Sequence, residues 1–364
     1  PGTLGGRIQS EGASVDEGLE LSARISDFGG ELRGYPVQFQ TELAMLGQRI
    51  DLKRLEASSG ETRLTASGRA DQKLDFRYAF RSPSLAALVP ELQGQLGAEG
   101  SVEGTPAAPR VTLELDGRDI ELEGQGIERI DVTADVGLDP ESPLQLDLTA
   151  SNLIAGGQRF ETLALRGRGS MRAHQLDAKI SSDLLRLTAA ADGGLRDSGD
   201  YRGELGQLAL ETEDYGRWSL QKPMPYAVVG ASLDVGPLCI AGGDASRGCA
   251  AFQRPEAGRF VASLDLERLG FDLLDQLTPE LISPEGYLQA NARFEGRGDL
   301  LTGTARMSVP DGALEVVLPR ASQTLTFSGT ELAVRSDADG IDARFRLPVD
   351  EAGRIDARVG LPGF

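Results

Sequence analysis

The chain has 364 residues, enough for two or three ordinary domains or for one extended all-β body. Lys and Arg number 37 against 56 Asp and Glu, and the resulting net charge of −19 repels nucleic-acid phosphates and anionic membrane surfaces. We therefore expect no nucleic-acid partner. Aromatic residues make up only 5%, while the 46 Gly and 18 Pro are typical of short strands joined by turns and predict an all-β fold.

The two ends of the sequence carry no targeting signal. Pro1 and Gly2 open in the middle of a pattern, Phe364 follows a strand-like stretch, and no signal peptide or run of about 18 apolar residues is present. We expect the targeting and anchoring segments to lie elsewhere in a longer protein.

Two short segments depart from the strand-like pattern. Ser82–Val89 has the apolar spacing of a helix, and so does the stretch from Leu269 to Leu277, so each predicts a short helix. Similar residues follow both segments, including a Pro-Glu-Leu triplet that begins at Pro90 in the first and at Pro279 in the second. Positions 90 and 279 are 189 residues apart, which indicates an internal repeat.

Elsewhere, apolar and polar residues alternate from end to end. Successive side chains of a strand point to opposite faces, so such a segment predicts a strand with one buried face. The apolar positions that represent the pattern are Val111, Leu113, Leu115, Ile130, Val132, Val136, Leu144, Leu146, Leu148, Leu163, Leu165, Ile180 and Leu187.

Clusters of Gly, Asp and Pro separate the alternating segments and supply the backbone angles of tight turns. The clearest clusters lie at Asp139–Glu141, Asp192–Gly194, Asp337–Gly340 and Asp350–Gly353. If strand and turn together average about 16 residues, the chain holds roughly 22 strands, joined as antiparallel hairpins.

The only two cysteines lie close together. Cys239 and Cys249 flank a short segment that contains Gly242, Gly243 and Gly248, which predicts a hairpin loop closed by a disulfide. A disulfide would imply an oxidising compartment such as the periplasm. Two unpaired buried thiols are the alternative.

No motif specifies catalysis or a cofactor. His174 lies between two alternating segments without a Ser or Cys motif that would form a nucleophile and base, so we expect a turn or strand-end position. Asp337, Asp339 and Asp342 around Gly340 faintly suggest a calcium loop, but the EF-hand spacing and its closing Glu are missing, which favours a plain hairpin turn. Phosphate loops, dinucleotide fingerprints and zinc spacings are also missing. We expect no enzymatic activity, no metal and no cofactor.

The apolar face itself remains as the candidate site. It could pack against a second sheet as a sandwich core, or line an open trough in which each methylene of an acyl chain gains about 0.8 kcal/mol. The alternation is the same in both arrangements, and periodicity alone favours the sandwich.

Two regions resemble a known family. The first consists of Leu85–Leu96, Glu99–Thr105 and Pro109–Val111; the second runs from Trp218 through Cys239 and Cys249 to Leu273–Leu281 and Gly286–Leu288. They are similar to central periplasmic segments of the TamB family, which are AsmA-like translocation and assembly module proteins of the bridge-like lipid transfer type. The two regions together span most of the chain.

The resemblance implies a fold and its modules. The expected fold is an elongated, curled, antiparallel-rich β-sheet that forms an open groove (a β-taco) with two short helices. Residues 1–81 would form a first groove segment. Residues 82–265 would form a module that opens with a short helix and contains the disulfide loop 239–249, and residues 266–364 would form a second helix-led module.

The resemblance also implies a function. The family is associated with phospholipid movement from the inner to the outer membrane and, through the outer-membrane protein TamA, with outer-membrane protein assembly. The chain would be a periplasmic segment of a protein anchored in the inner membrane, and the thirteen apolar positions given above would line its groove. TamA would bind regions outside this chain.

Two other functions remain open. A structural or chaperone scaffold would pair exposed strand edges with incoming outer-membrane protein strands by β-augmentation. A secreted β-solenoid is less consistent with the sequence, because the strand spacing has no fixed rung length.

Overall fold

The computed structural model describes residues 2–15, 18–213, 215–243, 245–271, 282–298, 300–318, 321–349 and 353–362. The prediction of an all-β antiparallel fold is confirmed, with 24 strands in the described residues against the roughly 22 expected from an average strand-plus-turn length. The chain divides into two units, Pro1–Asp183 and Leu184–Phe364. The division into three modules stays a prediction.

Unit 1 is an antiparallel meander, in which each strand pairs with the next one along the chain. Its strands are β1 (Gly2–Val15), β2 (Gly18–Leu32), β3 (Tyr35–Leu46), β4 (Arg49–Ser59), β5 (Thr62–Ala70), β6 (Leu74–Ser82), β7 (Gln93–Thr105), β8 (Ala108–Leu122), β9 (Gln125–Gly137), β10 (Pro143–Ala155), β11 (Gln158–Ser170) and β12 (His174–Ser181).

Unit 2 has the same plan. Its strands are β13 (Leu185–Leu195), β14 (Tyr201–Thr212), β15 (Gly216–Leu220), β16 (Met224–Val229), β17 (Ser232–Gly242), β18 (Ser246–Glu256), β19 (Arg259–Gly270), β20 (Ile282–Arg297), β21 (Leu300–Leu318), β22 (Ala321–Asp337), β23 (Gly340–Val349) and β24 (Gly353–Pro362). β15 and β16 lie end to end, because both pair with β14 on one side and β17 on the other. Pro223, which cannot donate a ladder hydrogen bond, lies in the break between them.

The predicted helix at Ser82–Val89 is wrong. Ser82 is the last residue of β6, and the apolar stretch makes only a three-residue 3₁₀ turn, Leu85–Ala87. The stretch is too short for added hydrogen bonds to offset the free-energy cost of nucleating an α-helix, and Pro90 limits its extension. The second predicted helix begins within β19 at Leu269, and its part from 272 to 277 lies outside the described residues. Within the described residues, no helix is long and apolar enough to cross a membrane.

The predicted turns have mixed outcomes. Asp139–Glu141 lies in the turn between β9 and β10, and Asp337–Gly340 joins β22 to β23. Asp192–Gly194 is not a turn, because all three residues lie within β13. The segment 350–352 lies outside the described residues.

The chain buries little of its surface for its mass. Its accessible surface is 22957 Å² for a mass of 38.6 kDa, whereas two separate compact bodies of half that mass would together expose about 17,000 Å². The buried apolar side chains among the described residues are Leu85, Ala87, Ala150, Met224, Cys239, Phe271 and Val309. Across the described residues, the fold therefore depends on strand-to-strand contacts and forms no large closed core.

The predicted disulfide is present. Cys239 and Cys249 lie directly opposite each other on β17 and β18, with a Cα–Cα distance of 4.0 Å. Cys239 is buried, at 5% exposure. The bond closes the hairpin independently of the backbone ladder.

We predict that replacing both cysteines, Cys239→Ala with Cys249→Ala, lowers the local opening free energy of this hairpin by about 2–3 kcal/mol, because a short loop loses its cross-link. Amide hydrogen exchange of β17 and β18 measures it. Reducing the unaltered chain should reproduce the change, and unchanged protection of both strands in the double variant would contradict it.

Candidate functional site

The strand register brings the predicted apolar positions of unit 1 onto one face. Residues directly opposite each other on neighbouring antiparallel strands point to the same side of the sheet. Across β6–β12 this rule gives four rows, which together we call the apolar face. The rows are Phe80-Ala98-Leu115-Val132-Leu148-Leu165-Ala178, Tyr78-Gly100-Leu113-Ala134-Leu146-Gly167-Leu176, Phe76-Val102-Val111-Val136-Leu144-Gly169-His174 and Ser82-Leu96-Gly117-Ile130-Ala150-Leu163-Ile180.

Twelve of the thirteen predicted lining residues belong to these rows. The other, Leu187, lies in unit 2. Its row runs through Leu210 on β14 to Trp218 on β15. None of the thirteen is buried: Val111 is 38% exposed and the others are half-buried. In a sandwich core these side chains would be covered by a second sheet. The apolar face of unit 1 is not covered in that way.

The apolar face is closely packed against its own backbone. A Cβ atom at Gly117 would lie within 3.3 Å of side-chain atoms of Leu96, Ile120 and Ile130, so these neighbours already fill the space above the glycine. The Tyr78 ring lies over Gly100 in the same way, and the Tyr78 hydroxyl donates a hydrogen bond to the carbonyl oxygen of Thr112 at 3.1 Å. With its hydroxyl satisfied, Tyr78 can lie among apolar neighbours at little cost.

A further apolar row was not predicted from the alternation. Ile120, Ile127, Leu153 and Phe160 are opposite one another on β8–β11, and Ile120 reaches over Gly117 on the apolar face. Asp119 and Asn152 precede two of them with positive φ angles of 49° and 48°, so the chain leaves the two-residue period there. Asp and Asn, which tolerate this conformation, were the signal available in the sequence.

Aromatic residues before residue 82 were also missed. Phe76, Tyr78 and Phe80 alternate along β6 and begin three of the rows. The face continues beyond them, because Leu64 lies opposite Phe80 and Ala57 opposite Leu64.

Unit 2 has an apolar face of the same kind. Two rows across β19–β24 are Leu266-Ala290-Met307-Leu332-Phe345-Ala357 and Leu264-Ala292-Ala305-Val334-Ala343-Val359. Leu264 and Met307 are 43% and 40% exposed. This face is therefore also without a covering layer at these positions.

Stacked tyrosines occupy the β13–β16 region of unit 2. The rings of Tyr201 and Tyr226 stack with centroids 6.0 Å apart, above Gly193 and Gly203. Burial and the hydrogen bond with Tyr226 raise the pKa of Tyr201 to about 12. Tyr201 is therefore neutral throughout the physiological range.

The opposite face of unit 1 is polar and carries the ion pairs. Arg110 Nε lies 2.6 Å from an Asp135 carboxylate oxygen, and Arg129 Nε lies 2.6 Å from Asp131. The hydrogen bond from the neighbouring arginine lowers the pKa of each aspartate. A shallow cleft of about 850 Å³ also lies on this side, between two rows that include Glu99, Glu114, Asp135 and Asp147. Charge is thus segregated from the apolar face.

The residues considered for chemistry have structural roles. His174 is the first residue of β12, as expected for a strand end, and its Nδ1 lies 3.0 Å from the carbonyl oxygen of Ser170. Asp337 forms an ion pair with Arg335, and Asp342 forms ion pairs with Arg344 and Arg358. In the part of the chain that the structure describes, no three His, Cys, Asp or Glu residues are placed to hold a metal ion.

These features define a class: meandering antiparallel β-sheet proteins that present a broad apolar surface instead of an enclosed pocket. The model of the family described as "TamB, N-terminal domain" matches residues 1–363, and the chain belongs to this family.

A curated relative has the same family name. The chain is 25% identical over 216 residues to the translocation and assembly module subunit TamB of Haemophilus influenzae, over 58% of this chain and 17% of the relative. The chain thus spans less than a fifth of that relative's length. No solved structure matches the chain.

We predict that Arg110→Gln raises the pKa of Asp135 towards its ordinary value, because the guanidinium that stabilises the carboxylate is removed. A carboxyl group whose pKa is lowered in the native state stabilises the fold when the pH is above the ordinary carboxyl pKa. This stabilisation is lost as the pH falls through the native pKa. The variant should therefore lose less stability on acidification. A carboxyl ¹³C NMR titration measures the pKa. The control is Arg129→Gln, which should raise the pKa of Asp131 and leave that of Asp135 unchanged. An unchanged Asp135 titration would show that the ion pair does not form.

Proposed function

We propose that this chain is a segment of a lipid conduit, in which phospholipid acyl chains move along the apolar face between the inner and outer membranes. The observation that carries the proposal is the extent of the face: four rows cross seven strands of unit 1 and leave most of their apolar side chains half-exposed. An uncovered apolar surface of this extent is typical of a binding surface.

The chemistry of the rows suits acyl chains. The four rows contain no Asp, Glu, Lys or Arg, and their one histidine, His174, is 8% exposed at the end of a row. A hydrocarbon chain therefore meets no carboxylate, ammonium or guanidinium group that would have to be desolvated. Each methylene removed from water gains about 0.8 kcal/mol, wherever it lies along the rows. Repeated, nearly equivalent positions favour sliding over fixation at one site.

Family membership supports the wider role. The relative from Haemophilus influenzae is named as a subunit of the translocation and assembly module. We propose that this chain acts in such a module in the periplasm, as part of a protein anchored in the inner membrane. TamA would contact other parts of that protein, and the conduit would support outer-membrane protein assembly.

The strand register favours a conduit over a β-augmentation scaffold. Strands β2–β11 of unit 1 have hydrogen-bonded neighbours on both edges. Incoming strands need free backbone donors and acceptors along an edge, and these strands do not offer them.

We predict that Val132→Asp with Leu146→Glu abolishes phospholipid transfer, because both charges lie in the apolar face and a lipid chain would have to pass them. Transfer between donor and acceptor vesicles measures it, together with the lipid that copurifies with the chain.

The matched control is Thr133→Asp with Gln145→Glu. These substitutions add the same charges to the same two strands, one residue away, on the polar face. The control should transfer lipid normally. Full transfer by a folded Val132→Asp, Leu146→Glu variant would refute the conduit, and equal losses in both variants would assign the effect to net charge.

A further inference from the structure

The disulfide of unit 2 lies on the side of the sheet opposite the apolar face. Through the strand register, Cys249 is opposite Asp265 on β19, and Asp265 is opposite Asn291 on β20. The next residue of β18, Ala250, is opposite Leu264 of the apolar face. Because successive strand residues point to opposite faces, Cys249 and its partner cysteine lie with the polar residues. We call this side the polar face of unit 2.

The two cysteines differ in accessibility. Cys239 is 5% exposed, whereas Cys249 is half-buried. The backbone N–H of Gln221, which lies in the break between β15 and β16, donates to the carbonyl oxygen of Cys239 at 2.8 Å. The chain at the break therefore lies against Cys239. A thiol reagent in solution meets Cys249 first.

A cleft of about 400 Å³ opens beside Cys249 on the polar face. Ala251 and Ser263, which line it on β18 and β19, have short side chains and leave this space free. Two polar-face rows run along the cleft, and they are Cys249-Asp265-Asn291 and Ala251-Ser263-Arg293-Thr304. The cleft thus extends from the disulfide across β19 to β20 and β21.

The position of the cleft selects which sulfur can be attacked. In thiol–disulfide exchange a thiolate approaches one sulfur in line with the bond that breaks, and access decides which sulfur it reaches. Cys249 is the partner nearer β19, so the approach to its Sγ from the side away from Cys239 comes from the β19 side, where the cleft lies. The corresponding approach to Cys239 comes from the β15–β16 side, where this residue is buried.

The disulfide also lies where the ladder is sparse. β17 and β18 shift register between Val235 and Leu238, and Pro237 within this bulge has no N–H to donate. On its other edge, β17 pairs with β16 up to Val235 and with β15 from Ile240 onward. The bond at Cys239 is therefore a covalent link at a weak point of the ladder, and breaking it should loosen the hairpin.

We propose that Cys249 is a thiol-exchange site, which an external thiolate reaches through the polar-face cleft and through which the β17–β18 hairpin is reversibly opened. The attacking sulfur bonds to Cys249 Sγ, the Sγ–Sγ bond breaks, and the electron pair leaves on Cys239, which takes up a proton. A second thiolate then attacks the reagent sulfur of the mixed disulfide, and Cys249 leaves and is protonated. Two reagent thiols are oxidised to one disulfide, and the protein disulfide is reduced to two thiols. The site requires no lipid and is independent of the proposed conduit.

A monothiol identifies the sulfur that is attacked. The chain is treated briefly with 2-mercaptoethanol and quenched in acid, the released thiol is alkylated, and both cysteines are mapped by peptide mass spectrometry. Extrapolated to zero time, the mercaptoethanol adduct should lie on Cys249 and the alkyl group on Cys239, several-fold in excess of the reverse pattern. Equal amounts of the two patterns, or an excess of adduct on Cys239, would overturn the proposal.

The charge of Asp265 tests the direction of approach. A carboxylate directly opposite Cys249 should favour a cationic thiol, cysteamine, over an anionic one, 2-mercaptoethanesulfonate. We expect Asp265→Asn to lower the ratio of their reduction rates about fivefold.

The matched control is Asp234→Asn, which removes the same charge from the polar face of β17, opposite Gln253 and beyond the bulge. It should leave the rate ratio unchanged, because salt screens charges at that range. Equal changes in both variants, or no change in either, would refute an approach from the β19 side.

The thiolate can belong to a small molecule or to a protein with a Cys-x-x-Cys pair, and two probes distinguish these sources. One is glutathione, and the other is a thioredoxin whose second cysteine is replaced by serine, so that the mixed disulfide is trapped. Adducts of both on Cys249 would support exchange with proteins as well as small thiols, and an adduct of glutathione alone would support exchange with small thiols. No adduct with either, under conditions that reduce a model peptide disulfide, would refute the site.

Reversible opening has its own measurement. Reduction by a dithiol should lower the amide hydrogen-exchange protection of β17 and β18, and reoxidation should restore it. The strands of unit 1 should keep their protection throughout, as an internal control. Protection of β17 and β18 that is not lost on reduction, or that does not return, would overturn the reversible opening.

Discussion

The structure depends on keeping the two-residue alternation in register from strand to strand. Each strand of a meander pairs with its neighbours in the chain, so every hairpin passes its register on to the next one. A slip of one residue would turn the apolar side chains of a strand to the polar face. The row through Leu115, Val132 and Leu148 exists because two successive strand pairings agree on which residues face each other. Stability and the candidate site therefore have the same origin.

A sheet of this kind must be stabilised without a large core. Neighbouring strands supply the contacts, so stability is close to a sum of short-range terms, as in repeat proteins. On the apolar side, large side chains fill the space above glycines such as Gly117 and Gly167. On the polar side, exposed ion pairs such as Arg166–Asp147 contribute little individually but keep that face charged. The disulfide Cys239–Cys249 adds a covalent link where β15 and β16 interrupt the regular pairing nearby.

Much of this arrangement could be predicted from the sequence, wherever the alternation is strict. On β8–β10 the apolar positions identify both the strand and its face, and the facing of Val132 and Leu146 required no tertiary information. Prediction failed where a single residue changes the local geometry. Gly193 suggests a turn, but it lies in a strand opposite Gly203. It is a glycine there because the Tyr201 and Tyr226 hydroxyls occupy the space that a side chain would need. Asp119 moves Ile120 onto the apolar face by adopting a positive φ angle. The burial of Leu85 beside the β4–β5 turn depends on contacts between residues far apart in the sequence, which periodicity does not contain.

Whether the apolar face binds acyl chains is the central claim, and methyl NMR tests it most directly. Leu, Val, Ile and Thr methyl groups would be observed while the chain binds a phospholipid that carries a nitroxide on its acyl chain. The account predicts strong broadening of the Val132, Leu146 and Leu148 methyls. The Thr112, Thr133 and Thr149 methyls, on the opposite face of β8–β10, should remain sharp. Equal broadening of both sets, or none in either, would contradict it.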